Sequence, residues 1–202
     1  MIAHPVGWLS LRRGIKGEHL PERLAVPGFL FGRRLEAVSG SPRFFTFYVT
    51  ETPDVLTSAP YIERLNNPTT LTQAVMSGGF KNTSRTVCRR AARAGRFRGS
   101  MVVTLRFPEA ANSAALVSLS ETLTRDPSVA SAELWEAVNG EVGSAATEER
   151  LRGGDKSIHA CFTVDTLRES KAKAIASDLS ERFPAAEVEV YRLLCEIGRG
   201  DL

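Results

Sequence analysis

The sequence predicts an α+β fold in which two βαββαβ units follow one another and close a single barrel within the chain. Three observations carry that expectation. Short segments alternate apolar and polar residues, as strands do, and are interleaved with segments of helical spacing. The order strand, helix, strand, strand, helix, strand runs through the chain twice. The 202 residues, 43% of them apolar, are enough to bury a sizeable shared core.

VGWLSLRRGI (6–15) is the first expected strand, followed by EHLPERLAV, a brief helix stopped by Pro27-Gly28. GFLFGRRLEAV (28–38) and RFFTFYVTE (43–51) form a hairpin across Ser-Gly-Ser-Pro, with Phe45, Phe47 and Val49 on one face. DVLTSAPYIERLNN (54–67) reads as helix, with Pro60 permitting a break. GFKNTSRTVCRRAA (79–92) closes the first unit as a strand. In the second half, GSMVVTLRF (99–107) is a strand and EAANSAALVSLSETLTRD (109–126) a helix ending before Pro127. VASAELWEAV (129–138) is a strand, and 139–156 is a polar connection. SIHACFTVD (157–165) sets Ile158, Ala160, Phe162 and Val164 against His159, Cys161 and Thr163. RESKAKAIASDLSERF (168–183) is an amphipathic helix and AAEVEVYRLLCEI (185–197) the last strand.

Eight strands and four helices result, as tandem ferredoxin-like units at residues 1–98 and 99–202. Each unit has helices on one sheet face only. Packing the two bare faces together buries both, so the chain acts as its own pseudo-dimer and as one cooperative barrel.

Composition narrows the function classes. No apolar run approaches membrane-spanning length, and MIAHPVGWLSLRR lacks the pattern of a secretory signal. Cys88, Cys161 and Cys195 are far apart, match no metal or redox spacing, and read as reduced thiols of a cytoplasmic protein. Residues 1–100 carry 15 Lys and Arg against 6 Asp and Glu, a balance of +9, whereas residues 101–202 carry 11 against 17, a balance of −6. Opposite halves of this kind favour a homodimer in which basic half meets acidic half. SRTVCRRAARAGRFRG (84–99) holds six arginines but one aromatic and no nucleic-acid signature, so nucleic acid is not the expected partner. No phosphate-binding Gly-rich loop, no nucleophile elbow and no metal spacing among His4, His19 and His159 is present.

EHLPERLAVPGFLFGRR, RFFTFYVTE, and VLTSAPYIERLNNPT followed by FKNTSRTVCR together resemble the dimeric α/β-barrel superfamily, near its EthD-like members. The likeness spans residues 6–107 by motif, and the second half by order of elements alone. It implies a barrel whose cavity takes a small molecule; the superfamily includes monooxygenases, decarboxylases, cyclases and haem proteins. Only Lys16 and Gly17 separate Glu18 from the first strand, a shorter spacer than such proteins have.

His19 is the leading acid/base candidate, because an imidazole titrates near neutral pH. Glu18 or Glu22 would orient it and Arg23 would hold an anionic oxygen. The plainer alternative is a helix start with Glu22 and Arg23 in salt bridges. His159 is expected to face the barrel interior as a second polar group, or to be a hydrogen-bonded core residue. Arg34, Tyr48, Arg85 and Arg106 fall on strands, where they reach a cavity as anion anchors or form structural ion pairs. Asn67 and Tyr61 are ligand contacts or parts of a helix terminus. The resulting expectation is an enzyme without a tightly bound cofactor, doing lyase, isomerase, cyclase or cofactor-independent oxygenase chemistry on a small, partly apolar substrate. A non-catalytic binding or accessory protein is the first alternative. A haem protein with His19 or His159 as ligand is the second.

Overall fold

The computed structural model describes residues 2–4, 19–70, 84–138 and 157–202. Its strands are β1 (Ile2–His4), β2 (Phe29–Ser39), β3 (Phe44–Thr50), β4 (Ser84–Arg85), β5 (Cys88–Gly95), β6 (Met101–Phe107), β7 (Val129–Ala137), β8 (Ala160–Thr166) and β9 (Glu187–Gly198). The helices are α1 (Leu20–Leu24), α2 (Ala59–Asn66), α3 (Ser113–Leu123) and α4 (Glu169–Arg182). All neighbouring strands run antiparallel, in the order β4-β1-β3-β2-β9-β6-β8-β7-β5. No described helix is long and apolar enough to cross a membrane.

Two elements differ from the sequence expectation. From residue 84 onward the single closing strand expected at 79–92 is two strands, which occupy opposite edges of the sheet; 79–83 lie outside the described residues. Thr86 and Val87 between them leave the ladder: the Thr86 hydroxyl accepts from the Ile158 amide at 3.0 Å, and the Val87 carbonyl from that of Val138. Three peptide steps span about 11 Å at most. The sheet therefore curls until its two edges lie side by side. The expected helix at 54–67 is also divided, into a 3₁₀ turn (Pro53–Thr57) and α2, with Ser58 capping α2 through the Tyr61 amide. Pro60 lies in the first turn of α2, where a missing N–H costs nothing. The first expected strand, at 6–15, lies outside the described residues; β1 precedes it.

Register assigns each side chain to a face. Val103, Leu105 and Phe107 of β6 share the outer face with Ala160, Phe162 and Val164 of β8. There they join Leu116, Leu119, Ala172, Ile175 and Leu179 of α3 and α4 in one buried cluster. The inner face carries Val102 and Tyr191, packed on Leu35 and Phe45. Fully burying a Leu or Phe contributes about 1.5–3 kcal/mol, so the outer cluster is the main source of stability.

The inner face also holds charge. Arg33 of β2 donates to Asp165 of β8 at 2.7 Å and to the Gly99 carbonyl at 2.6 Å, and pairs with Glu196 at 2.9 Å. This guanidinium ties the first half to the second. Gly99 has to be glycine here, since a Cβ would come within 2.2 Å of the Thr166 carbonyl. Arg106 forms a second buried group with Glu189, Glu187 and the Ser41 carbonyl, and Thr104 donates to Glu189. Burial raises the Asp165 and Glu189 carboxyls, with their arginine partners opposing the shift.

Candidate functional site

A cavity of about 310 Å³ lies between β3, the α1–α2 layer and the β4–β5 seam. Its size is at the lower end of the range for small-molecule sites. Local sequence explains why space remains. On the outer face of the first half, among the described residues, α1 has five residues and α2 eight, and the apolar cluster beneath them is built on Leu24, Val26, Phe29, Tyr61 and Leu65. Gly32 lets the Tyr48 ring lie on the sheet, because a Cβ there would meet that ring at 2.8 Å.

Aromatic rings form much of the wall. Phe29 stacks on Tyr61 with centroids 5.6 Å apart and meets Tyr48 edge-on at 5.8 Å. On the inner side Phe45 and Phe47 lie 5.7 Å apart, and Trp135 of β7 completes the surround. His19 stands at the N-terminus of α1. Its side chain does not cap that helix, and it lines the cavity. Arg23 lies 5.6 Å above the Tyr61 ring, and Arg85 donates to the Tyr61 hydroxyl at 3.5 Å. Cys88, Arg89 and Arg90 continue the wall along β5, and Thr163 reaches it from β8. Burial pushes the Cys88 thiol above its ordinary range.

Of the residues singled out from sequence, the structure brings His19, Arg23, Tyr48 and Arg85 together at this cavity, with Tyr61 between them. The others lie elsewhere. His159 does not face the interior: it precedes β8 and is exposed, while its backbone joins the Phe107 and Ala137 strands. Ile158 and Ala160 on either side are buried, and the His159 side chain is left outside at the end of the strand. Arg34 points to the outer face, donating to the Thr46 hydroxyl at 2.6 Å beside the Phe44 ring. Burial lowers its pKa to about 10, against the pull of Tyr48, Cys195 and Glu36, and it remains charged at neutral pH. Arg106 belongs to the Glu189 group. Asn67 ends α2 and donates its side-chain amide to the Glu63 carbonyl at 3.0 Å. Glu22 pairs with Arg64 at 3.5 Å rather than lining the cavity. Glu18 lies outside the described residues. Trp135 and Arg90 were not singled out; Trp135 projects inward with Cys161, its register partner, and Arg90 with Trp135. The alternation of SAELWEA carries that signal, but not which face is the interior.

Among the described residues no cluster of three or more His, Cys, Asp or Glu is arranged for a metal ion. No family model matches the chain, and no curated protein matches its sequence. Among solved structures, an anthrone oxidase-like protein superposes with a TM-score of 0.67 over 100% of this chain and 93% of its own, at 11% identity. A "putative monooxygenase from Lactobacillus acidophilus NCFM" superposes at a TM-score of 0.48 over 98% and 94%, at 9% identity. The first likeness is one of fold: the chain has the curled antiparallel sheet and helix layer of the dimeric α/β barrels.

Proposed function

We propose that the chain is a barrel enzyme performing proton-transfer chemistry on a small, partly apolar organic molecule, with the cavity as its active site. The observation that supports this best is the position of His19, an imidazole in the wall of an aromatic-lined cavity. Neutral His19 takes a proton from the substrate and becomes imidazolium; the electron pair left behind delocalises into the substrate, and the proton is then returned at another atom or to a leaving group. An aromatic surround suits a conjugated body, and Arg85 stabilises the charge that develops. The outcome is isomerisation, elimination or cyclisation, or oxygenation where dioxygen meets the substrate anion. The same reading takes the chain as two ferredoxin-like units in tandem, residues 1–98 and 99–202, folding as one barrel. The strand orders β4-β1-β3-β2 and β9-β6-β8-β7 support that pairing.

The test is turnover by purified protein across a panel of enolisable and phenolic compounds, followed by product analysis and oxygen uptake. The fold neighbour makes anthrone the first compound to try. Loss of at least a hundredfold in kcat for His19→Gln, with an unchanged melting temperature, is the expected result. Unchanged kcat removes His19 from the chemistry. Binding without turnover in the native protein makes the cavity a container instead.

A further inference from the structure

The charges around the cavity are uneven. Arg23, Arg85, Arg89 and Arg90 line it, against Glu51 as the one carboxylate among the described lining residues. Three of those arginines fall within six residues, 85–90, where the two edges of the sheet meet. Their protein contacts leave charge unspent. Arg85 reaches only a neutral hydroxyl among its described contacts, at the 3.5 Å limit of a hydrogen bond. Arg90 lies 5.5 Å from the Trp135 ring centroid and 3.8 Å from Glu133, but that carboxylate is nearer to Arg93, at 3.3 Å. One carboxylate thus serves two guanidiniums. A concave site with one sign of charge and apolar walls concentrates ions of the opposite sign. A planar guanidinium also matches the geometry of a delocalised oxyanion.

We propose that the β4–β5 seam is an anion subsite, and that the cavity takes a planar aromatic acid whose oxyanion sits on Arg85 and Arg90 and whose ring lies against Phe45, Phe47 and Trp135. The proposal rests on the cavity being the active site and adds the class of its ligand. Orientation follows: the charged end faces the seam and the ring system extends toward His19. This divides the labour of the site, with the seam selecting the ligand and the imidazole acting on it.

Two probes of equal shape decide the matter: 2-naphthoate and the uncharged 2-naphthamide, titrated calorimetrically against the intact protein. Naphthoate should bind at least about tenfold more tightly, since an oxyanion gains charge-assisted hydrogen bonds that the amide lacks. Arg85→Gln and Arg90→Gln should each erase most of that preference while leaving naphthamide affinity in place; Arg85→Lys should restore part of it. Naphthoate affinity in the native protein should also fall as salt rises from low to physiological, a reading that needs no variant. Equal binding of both probes overturns the anion subsite and leaves the active-site reading standing. No binding of either overturns both. Selective naphthoate binding that His19→Gln does not change, together with unchanged turnover by that variant, upholds the subsite and removes only the catalytic role of His19.

Discussion

The two halves of this curled sheet use similar elements to different ends. In the second half, α3 and α4 span 11 and 14 residues and cover strands whose outer faces are mostly apolar, with Thr166 and Glu136 as polar exceptions. In the first half, the described helices span 5 and 8 residues and cover a face that includes Gly32, Arg34, Thr46 and Tyr48. The second half fills its layer. The described part of the first half borders the cavity, whose wall takes Tyr48 from the outer sheet face and Phe45, Phe47, Trp135 and Thr163 from the inner one. The largest apolar cluster thus lies in the second half and most of the cavity wall in the first, and the Arg33–Asp165 pair joins the two.

The largest test compares truncations on the two sides. Phe162 is wholly buried in the cluster under α3 and α4, so Phe162→Ala opens a new cavity there and should cost about 3–5 kcal/mol. Leu65 is buried too, but lines the cavity, and removing its side chain enlarges a space that already exists. Leu65→Ala should cost about 2 kcal/mol, the low end for such a change. Urea unfolding followed by circular dichroism measures both. Each variant should unfold in one transition, because the buried Arg33 network joins the halves. Equal costs would break the comparison, and two transitions would break the coupling.

The sequence revealed the second half more fully than the first for the same reason. Where both strand and helix faces are apolar, period and burial agree, and the elements from Met101 to Gly198 appear close to where their patterns put them. Around the cavity the patterns conflict. Arg34, Arg85 and Arg106 all sit on strands, yet only Arg85 lines the cavity, since facing depends on bulges and on which strands become neighbours. SRTVCRR looks like one continuous strand. That its parts join opposite sheet edges is a property of curling, visible only after strands far apart in sequence have paired.

A second test uses pH. Burial raises the carboxyl groups of Asp165, Glu189 and Glu133, with the arginines opposing in part. In the unfolded chain they titrate near 4. A group raised on folding gives stability that is complete below the unfolded value and is lost as pH rises through the folded one. Asp126 and Glu169 are shifted the other way, chiefly by hydrogen bonds from Lys171 and Lys173, so their contribution stays in place above the ordinary carboxylate range and is lost only below it. The urea midpoint should therefore fall as pH is raised from the ordinary carboxylate range towards neutrality. Glu133→Gln should flatten part of that fall, since each tenfold change in a carboxyl's proton affinity on folding is worth about 1.4 kcal/mol. A midpoint that falls on acidification would mean that the buried arginines, not burial, set these carboxyls.

The smallest effect is on reactivity. Cys161 lies on the inner face of β8 with no exposed surface, and burial pushes its thiol above the ordinary range. Cys88 is raised by burial as well, but it is half-buried in the cavity wall. Thiolate is the reactive form, so both should react more slowly than a free cysteine at pH 8. Access then separates them. In a Cys195→Ser background, iodoacetamide at pH 8 should label Cys88 at a measurable rate and leave Cys161 untouched until the protein is unfolded. The Cys88 rate should keep rising beyond pH 9, following its raised pKa, and should fall when a ligand fills the cavity. Peptide mass spectrometry assigns the sites. Early labelling of Cys161 would show that the inner face opens as readily as the cavity, which removes the contrast between a filled half and a hollow one.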